Sequence, residues 1–152
     1  MTIDNVNVDK IFSLAVKNHK ENNFNELISI VKKHDIGTIK MEVTRNYLPK
    51  DNFLKKVRKL ATQKKIVLIF DECTSGFRQT FGGIHKFFGV NPDLAIFGKT
   101  LGNGHPITAI IGKKKIMNSS QSSFISSTFW SERVGFVAAL KTLEIMKKTQ
   151  SW

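Results

Sequence analysis

Cysteine is nearly missing from this 152-residue sequence, where Cys73 stands alone. One thiol builds no disulfide framework within the chain and rules out any zinc site made from several cysteines. Long apolar runs are missing too. No stretch approaches the roughly 18 residues that mark a membrane-spanning helix, and the polar start Met1–Lys10 does not read as a secretory signal. Three prolines and no Ser-rich tract leave no linker, and neither a repeat nor a low-complexity segment divides the chain. The expectation is one cytoplasmic domain. What is present agrees with that: 41% hydrophobic and 24% charged residues are the proportions of a globular protein. A chain of this size buries roughly 68–70% of the surface it exposes when unfolded, enough for a proper core.

Acidic residues are also scarce, 12 Asp+Glu against 24 Lys+Arg, so the formal charge is +12. Such a balance is the usual footprint of nucleic-acid binding, but its distribution argues otherwise. The charge is +7 through Phe70 (14 bases, 7 acids) and +5 beyond it (10 bases, 5 acids), so no basic arm exists. Nearly all of it is lysine. Only Arg45, Arg58, Arg78 and Arg133 offer the planar fork that grips phosphate or guanine. The densest groups, Lys55-Lys56-Val57-Arg58-Lys59 and Lys113-Lys114-Lys115, read as a solvated helix face and a turn after a strand.

Residues 1–22 show little periodicity and read as irregular chain with a weak strand near Ile11–Val16. Phe24, Leu27, Ile28 and Val31 then recur on one helical face, with Asn23 as N-cap and Glu26 completing a capping box. Gly37 breaks this helix, and Thr38–Val43 reads as a strand. Pro49 and Asp51 introduce a second helix that turns Phe53, Leu54, Val57, Leu60 and Ala61 inward. Ile66–Phe70 is a continuous apolar run, as in a strand covered on both faces. Leu94–Phe97 and Ile107–Ile111 read as further strands, the latter closed by Gly112, and a helix from Glu132 to Lys148 has Val134, Val137, Ala138 and Met146 near one side. The turn Gly102-Asn103-Gly104 is too short for a parallel return. The fold class is therefore α/β, a mixed and mainly parallel sheet with flanking helices.

Ligands of open α/β sheets bind beyond the carboxyl ends of the strands. Those ends carry Glu42, then Asp71-Glu72, then Lys99. Asp71 and Lys99 each follow an apolar strand directly, and a charged group partly buried there needs a partner or a task. A simple salt bridge between them is one reading; for Glu42 a structural role and a functional one stand equal.

The flanking residues single out a family. Asp71-Glu72-Cys73-Thr74-Ser75-Gly76-Phe77-Arg78, then Pro92-Asp93-Leu94-Ala95-Ile96-Phe97-Gly98-Lys99-Thr100-Leu101-Gly102-Asn103-Gly104-His105-Pro106, resembles the class III pyridoxal-phosphate aminotransferases. Within them it is most similar to the branch containing glutamate-1-semialdehyde aminomutase and sugar-linked aminotransferases. Met41-Glu42 with Arg45-Asn46, Phe53-Leu54 through Arg58 to Phe70, and Ser126-Ser127-Thr128-Phe129-Trp130 extend the likeness from about Asn23 to Lys148.

The resemblance implies that residues 23–152 are part of the large domain of fold-type I pyridoxal-phosphate enzymes. It implies that Lys99 forms the Schiff base with the cofactor aldehyde, which needs a neutral amine, and afterwards moves the substrate proton. Asp71 is implied as partner of the pyridine nitrogen, keeping the ring an electron acceptor. Thr128 is implied as a phosphate anchor reaching the cofactor of a neighbouring subunit, hence a homodimer acting on a small amino-group donor and a carbonyl acceptor. The family's upstream phosphate loop and downstream small domain are not found, so the chain reads as a fragment of the full enzyme. The alternative is a catalytically silent remnant or a basic interaction module.

Other readings carry less. Gly98-Lys99-Thr100 matches the end of a phosphate-binding loop, but Asp93 stands where its first glycine belongs. His19, His34, His85 and His105 have no ligand-like spacing, so no metal site is expected, and Cys73 reads as a small buried filler.

Overall fold

The computed structural model describes residues 23–152 together with the backbone of Leu14–Ala15. The irregular N-terminal segment and most of the weak strand near Ile11–Val16 lie outside the described residues; Leu14–Ala15 is a strand, β1. In order follow α1 (Phe24–Lys33), β2 (Thr38–Glu42), α2 (Phe53–Lys64), β3 (Val67–Asp71), β4 (Leu94–Phe97), β5 (Ala109–Gly112), α3 (Lys114–Met117) and α4 (Arg133–Thr149). Strand order in the sheet is sequential, β1 to β5. β1 through β4 run parallel and β5 returns antiparallel beside β4, the mixed topology expected from the short Gly102-Asn103-Gly104 turn.

α1 begins where Asn23 accepts the N–H of Glu26 at 3.1 Å, a cap that stabilises a helix by about 1 kcal/mol. Its Leu27 meets Phe53, Leu54, Val57, Leu60 and Ala61 of α2 over Ile39 and Met41 of β2 and Leu68 and Phe70 of β3. Every inward residue expected of α2 is buried. A second, smaller cluster joins Ala95 and Phe97 of β4 to Leu101 and to Ala139 of α4, with Leu143 packed against it.

Three expectations need correction. Ile66–Phe70 is not covered on both faces: burial alternates along β3, and Val67 and Ile69 are only half-buried. Hydropathy alone overstates cover, because both faces of this strand are apolar while the described helices fill one. Second, Val134, Val137, Ala138 and Met146 do not share one environment on α4: Val134 and Val137 are 52% and 64% exposed, while Met146 faces the core with Gly135 and Ala139. The cause is close approach. A Cβ on Gly135 would stand 2.9 Å from the Pro106 carbonyl, so the helix docks through its smallest residue.

Third, the cluster Lys55–Lys59 is not wholly solvated. Arg58 Nη1 donates to Asp93 Oδ2 at 2.8 Å, the same oxygen that accepts the Leu68 N–H at 2.8 Å, and Lys113 Nζ lies 2.6 Å from Oδ1. Asp93, 5% exposed, thereby fastens α2, β3 and the end of β5 at the edge of the sheet away from the strands' carboxyl ends. Burial pushes its carboxyl up, but the Leu68 N–H and the two cations more than offset this and hold it below the usual aspartate range.

Candidate active site at the carboxyl edge of the sheet

Parallel register gathers the chemistry. Glu42 pairs with Asp71, and Asp71 with Ile96, so β2, β3 and β4 end together at one edge. The chain after β4 passes Gly98 and enters a single 3-10 turn at Lys99. Lys99 itself takes φ +45°, a left-handed conformation that costs a residue with a Cβ and that collects at functional positions.

From this turn Lys99 Nζ reaches back and donates to Thr74 Oγ1 at 2.8 Å. Thr74 belongs to the loop that Asp71 opens, and in the same loop the Cys73 N–H donates to Asp71 Oδ1 at 3.1 Å. Asp71 and Lys99 are thus brought to one loop without bridging each other; the carboxylate that sequence alone could have paired with Lys99 takes Lys40 instead, Nζ to Oδ2 at 2.9 Å. Burial pushes the Asp71 carboxyl up, while the bonds from Lys40 and Cys73 outweigh it and leave the group ionised below the usual aspartate range. Lys40 is raised in turn, chiefly by the bond to Asp71.

Cys73 is half-buried, not the buried filler expected, and lies between these charges. Burial and then the neighbouring Asp71 carboxylate push its thiol up, which disfavours the reactive thiolate. A Cβ on Gly98 would stand 3.3 Å from Cys73 Sγ, so the glycine lets β4 end tightly against this loop. Lys99 is exposed, whereas a strand-end charge was expected to be partly buried. Glu42 ends β2 beside Asp71, with Arg45 Nε 3.9 Å from its Oε2.

Thr128 stands apart, in an exposed turn where the Phe129 N–H donates to Ser127 Oγ at 3.2 Å. Among the described residues no hydrogen bond joins it to Lys99 or Asp71. A groove of about 580 Å³ adjoins the turn after Lys99, lined by Arg78, Thr100, His105 and Lys141 among others; it includes neither Lys99 nor Asp71. Among the described residues no group of three His, Cys, Asp or Glu side chains is placed to hold a metal ion, and no helix is long and apolar enough to cross a membrane.

Four side chains of this region have contacts that the sequence does not foretell: Lys40, Thr74, Glu72 and His85. Glu72 is wholly buried and accepts from His85 and Ser75. The adjacent acids Asp71-Glu72 at a strand end were the available signal, since successive strand residues point to opposite faces, and a carboxylate on the packed face needs donors.

A mainly parallel sheet with an antiparallel return thus carries a strand-end carboxylate and, one strand over, a lysine in a left-handed conformation. The chain matches the family described as aminotransferase class-III over residues 15–152, and it belongs to that family. It is 48% identical over 102 residues to the 3-aminobutyryl-CoA aminotransferase of Cloacimonas acidaminovorans, covering 66% of this chain and 25% of the relative. With the glutamate-1-semialdehyde 2,1-aminomutase of Thermodesulfovibrio yellowstonii it shares 38% identity over 136 residues, 84% of this chain and 32% of the relative. Among solved structures, the PLP internal aldimine form of the FumI protein of Sphingopyxis sp. MTA144 superposes with a TM-score of 0.80 at 29% identity, over 84% of this chain and 33% of that one. The chain therefore spans about a quarter to a third of the length of the relatives it matches.

Proposed function

We propose that residues 23–152 form part of the cofactor-binding large domain of a pyridoxal-phosphate enzyme. That enzyme transfers an amino group between a small amine donor and a carbonyl acceptor, as a transaminase or an aminomutase. The observation that carries this reading is the arrangement of Asp71 and Lys99 around one loop, the first beside Cys73 and the second on Thr74.

The residues fit the group. Asp71 is ionised and already receives an N–H cation at Oδ2, the Lys40 ammonium, which is the chemistry a protonated ring nitrogen presents. Lys99 is an exposed primary amine with no carboxylate within ion-pair reach among the described residues, held by a neutral hydroxyl from which it is easily released. When bound, pyridoxal phosphate supplies an aldehyde and an electron-accepting ring. Asp71 would hold negative charge against the ring nitrogen. Lys99 would take the cofactor aldehyde covalently and, once displaced by substrate, hold and move the proton at the substrate carbon. Thr128 would bind phosphate through its hydroxyl from a second subunit. A homodimer is supported by the outward stripe of α4, where Val134, Val137 and Leu140 are all more than half exposed. The cytoplasm suits a chain whose one cysteine is an unpaired thiol.

Borohydride reduction in the presence of pyridoxal phosphate, followed by peptide mass spectrometry, tests the reading. The adduct is expected on Lys99 and lost in Lys99→Ala. A chain that folds and gives no Lys99 adduct would instead be a silent remnant or an interaction module.

A further inference from the structure

Glu72 has no place in the chemistry above, yet no side chain near the site is more tightly held. It is 0% exposed. Its Oε1 accepts the His85 N–H at 3.0 Å and lies 2.7 Å from His85 Nδ1, while Oε2 accepts from Ser75 Oγ. The backbone is fastened as well: Glu72 N–H donates to Ile96 O at 2.8 Å, and its carbonyl accepts the Gly76 N–H at 2.7 Å. His85 leans on the Phe70 ring, centroids 5.8 Å apart. Burial pushes the Glu72 carboxyl up, and the bonds from His85 and Ser75 more than reverse this, so the buried group is an anion.

The surroundings leave little room for this unit to shift. A Cβ on Gly83 would stand 2.6 Å from Glu72 Oε1 and would collide with His85 Nδ1, and one on Gly76 would stand 2.6 Å from the Glu72 carbonyl. Two glycines are therefore needed where the chain folds around one carboxylate. What lies on either side of Glu72 gives the arrangement its use. Asp71 precedes it, and the two residues after it supply the Cys73 N–H to Asp71 Oδ1 and the Thr74 hydroxyl to Lys99 Nζ.

We infer that Glu72, clamped by His85 and Ser75, is a positioning residue that sets the loop 72–76 and so fixes both the Asp71 carboxylate and the Lys99 amine. The inference rests on the reading of Asp71 and Lys99 as the cofactor-facing pair, but it concerns the pair's geometry before any cofactor arrives.

It is tested on the full chain without cofactor, following the Asp71 carboxyl titration and the Lys99 Nζ resonance by NMR, with thermal unfolding in parallel. Glu72→Ala is expected to move the Asp71 midpoint up toward the ordinary aspartate value and to shift the Lys99 resonance, because the Cys73 and Thr74 contacts loosen. Glu72→Gln is expected to restore both signals, since its amide oxygen still accepts from His85 and its NH2 donates to Ser75 Oγ. Should Glu72→Ala fail to fold, Ser75→Ala decides, with a smaller shift in the same direction. Folded variants that lose thermal stability but leave both signals unmoved would overturn the inference and make Glu72 a structural anchor only. Shifted signals with no Lys99 adduct under borohydride would sink the proposed function and leave the positioning role standing.

Discussion

The ammonium of Lys40 lies 2.9 Å from Oδ2 of Asp71, an ion pair that crosses from β2 to β3 on the half-open face of the sheet. Lys40 is itself close to half exposed, with 45% of its side chain accessible. The pair therefore supports the charge of Asp71 more than the stability of the fold. Lys40→Met is expected to raise the Asp71 titration midpoint, because the largest influence lowering it is that hydrogen bond. Unfolding free energy should change by less than about 1 kcal/mol, as for other exposed pairs. Carboxyl NMR titration with urea unfolding checks both; an unmoved Asp71 would mean that Cys73 alone holds it.

Asp93 is the opposite case, a nearly buried carboxylate with three donors. Asp93→Asn removes the charge that neutralises Arg58, whose side chain is only 20% exposed. The cost is expected at about 2–3 kcal/mol, or roughly 5–10 °C in Tm for a chain of this size. Calorimetry measures it. A loss below 1 kcal/mol would show that Arg58 swings to solvent without penalty.

Acid should destabilise the protein through the same carboxylates. Asp71, Glu72 and Asp93 are all lowered in the folded state, so in acid the unfolded chain binds more protons than the folded one. Their contribution is fully present above the ordinary carboxyl values, about 3.9 for Asp and 4.3 for Glu, and is lost as pH falls through the folded values. Urea midpoints between pH 2 and pH 6 should therefore drop on the acid side of about pH 4, and Asp93→Asn should flatten the drop. A flat profile in the parent chain would remove the basis for all three.

Thr128 permits a test of its proposed task that does not depend on turnover. Thr128→Val should weaken pyridoxal phosphate binding by about 10- to 100-fold, the worth of one hydroxyl bond to a charged group. Binding of pyridoxal, which lacks the phosphate, should stay the same. Equal losses for both ligands would place Thr128 outside the phosphate site.

Much of this molecule is legible in order along the chain. The Asn23 cap, the inward face of α2, the apolar strands ending at Asp71 and before Lys99, and the short glycine turn that makes β5 antiparallel are all local features. Each depends on residues a few positions apart, where periodicity and turn chemistry act directly. The motif around Asp71 and Lys99 also carries the resemblance to the aminotransferase family, because it is a contiguous pattern of residue types.

The partners of these side chains come from the packed chain. Lys40 meets Asp71 because parallel pairing aligns β2 with β3 one residue at a time. Glu72 meets His85 because the loop after β3 folds back under its own strand. Arg58, one of a run of basic residues, turns inward to Asp93. α4 rotates to bring Gly135 against Pro106, turning Val134 and Val137 out. Which side chains stand at the ends of strands and helices is written locally along the chain, since propensity and pattern act over short range. Which of them touch was settled by strand register and close packing, which join residues far apart in the chain and leave no local signature.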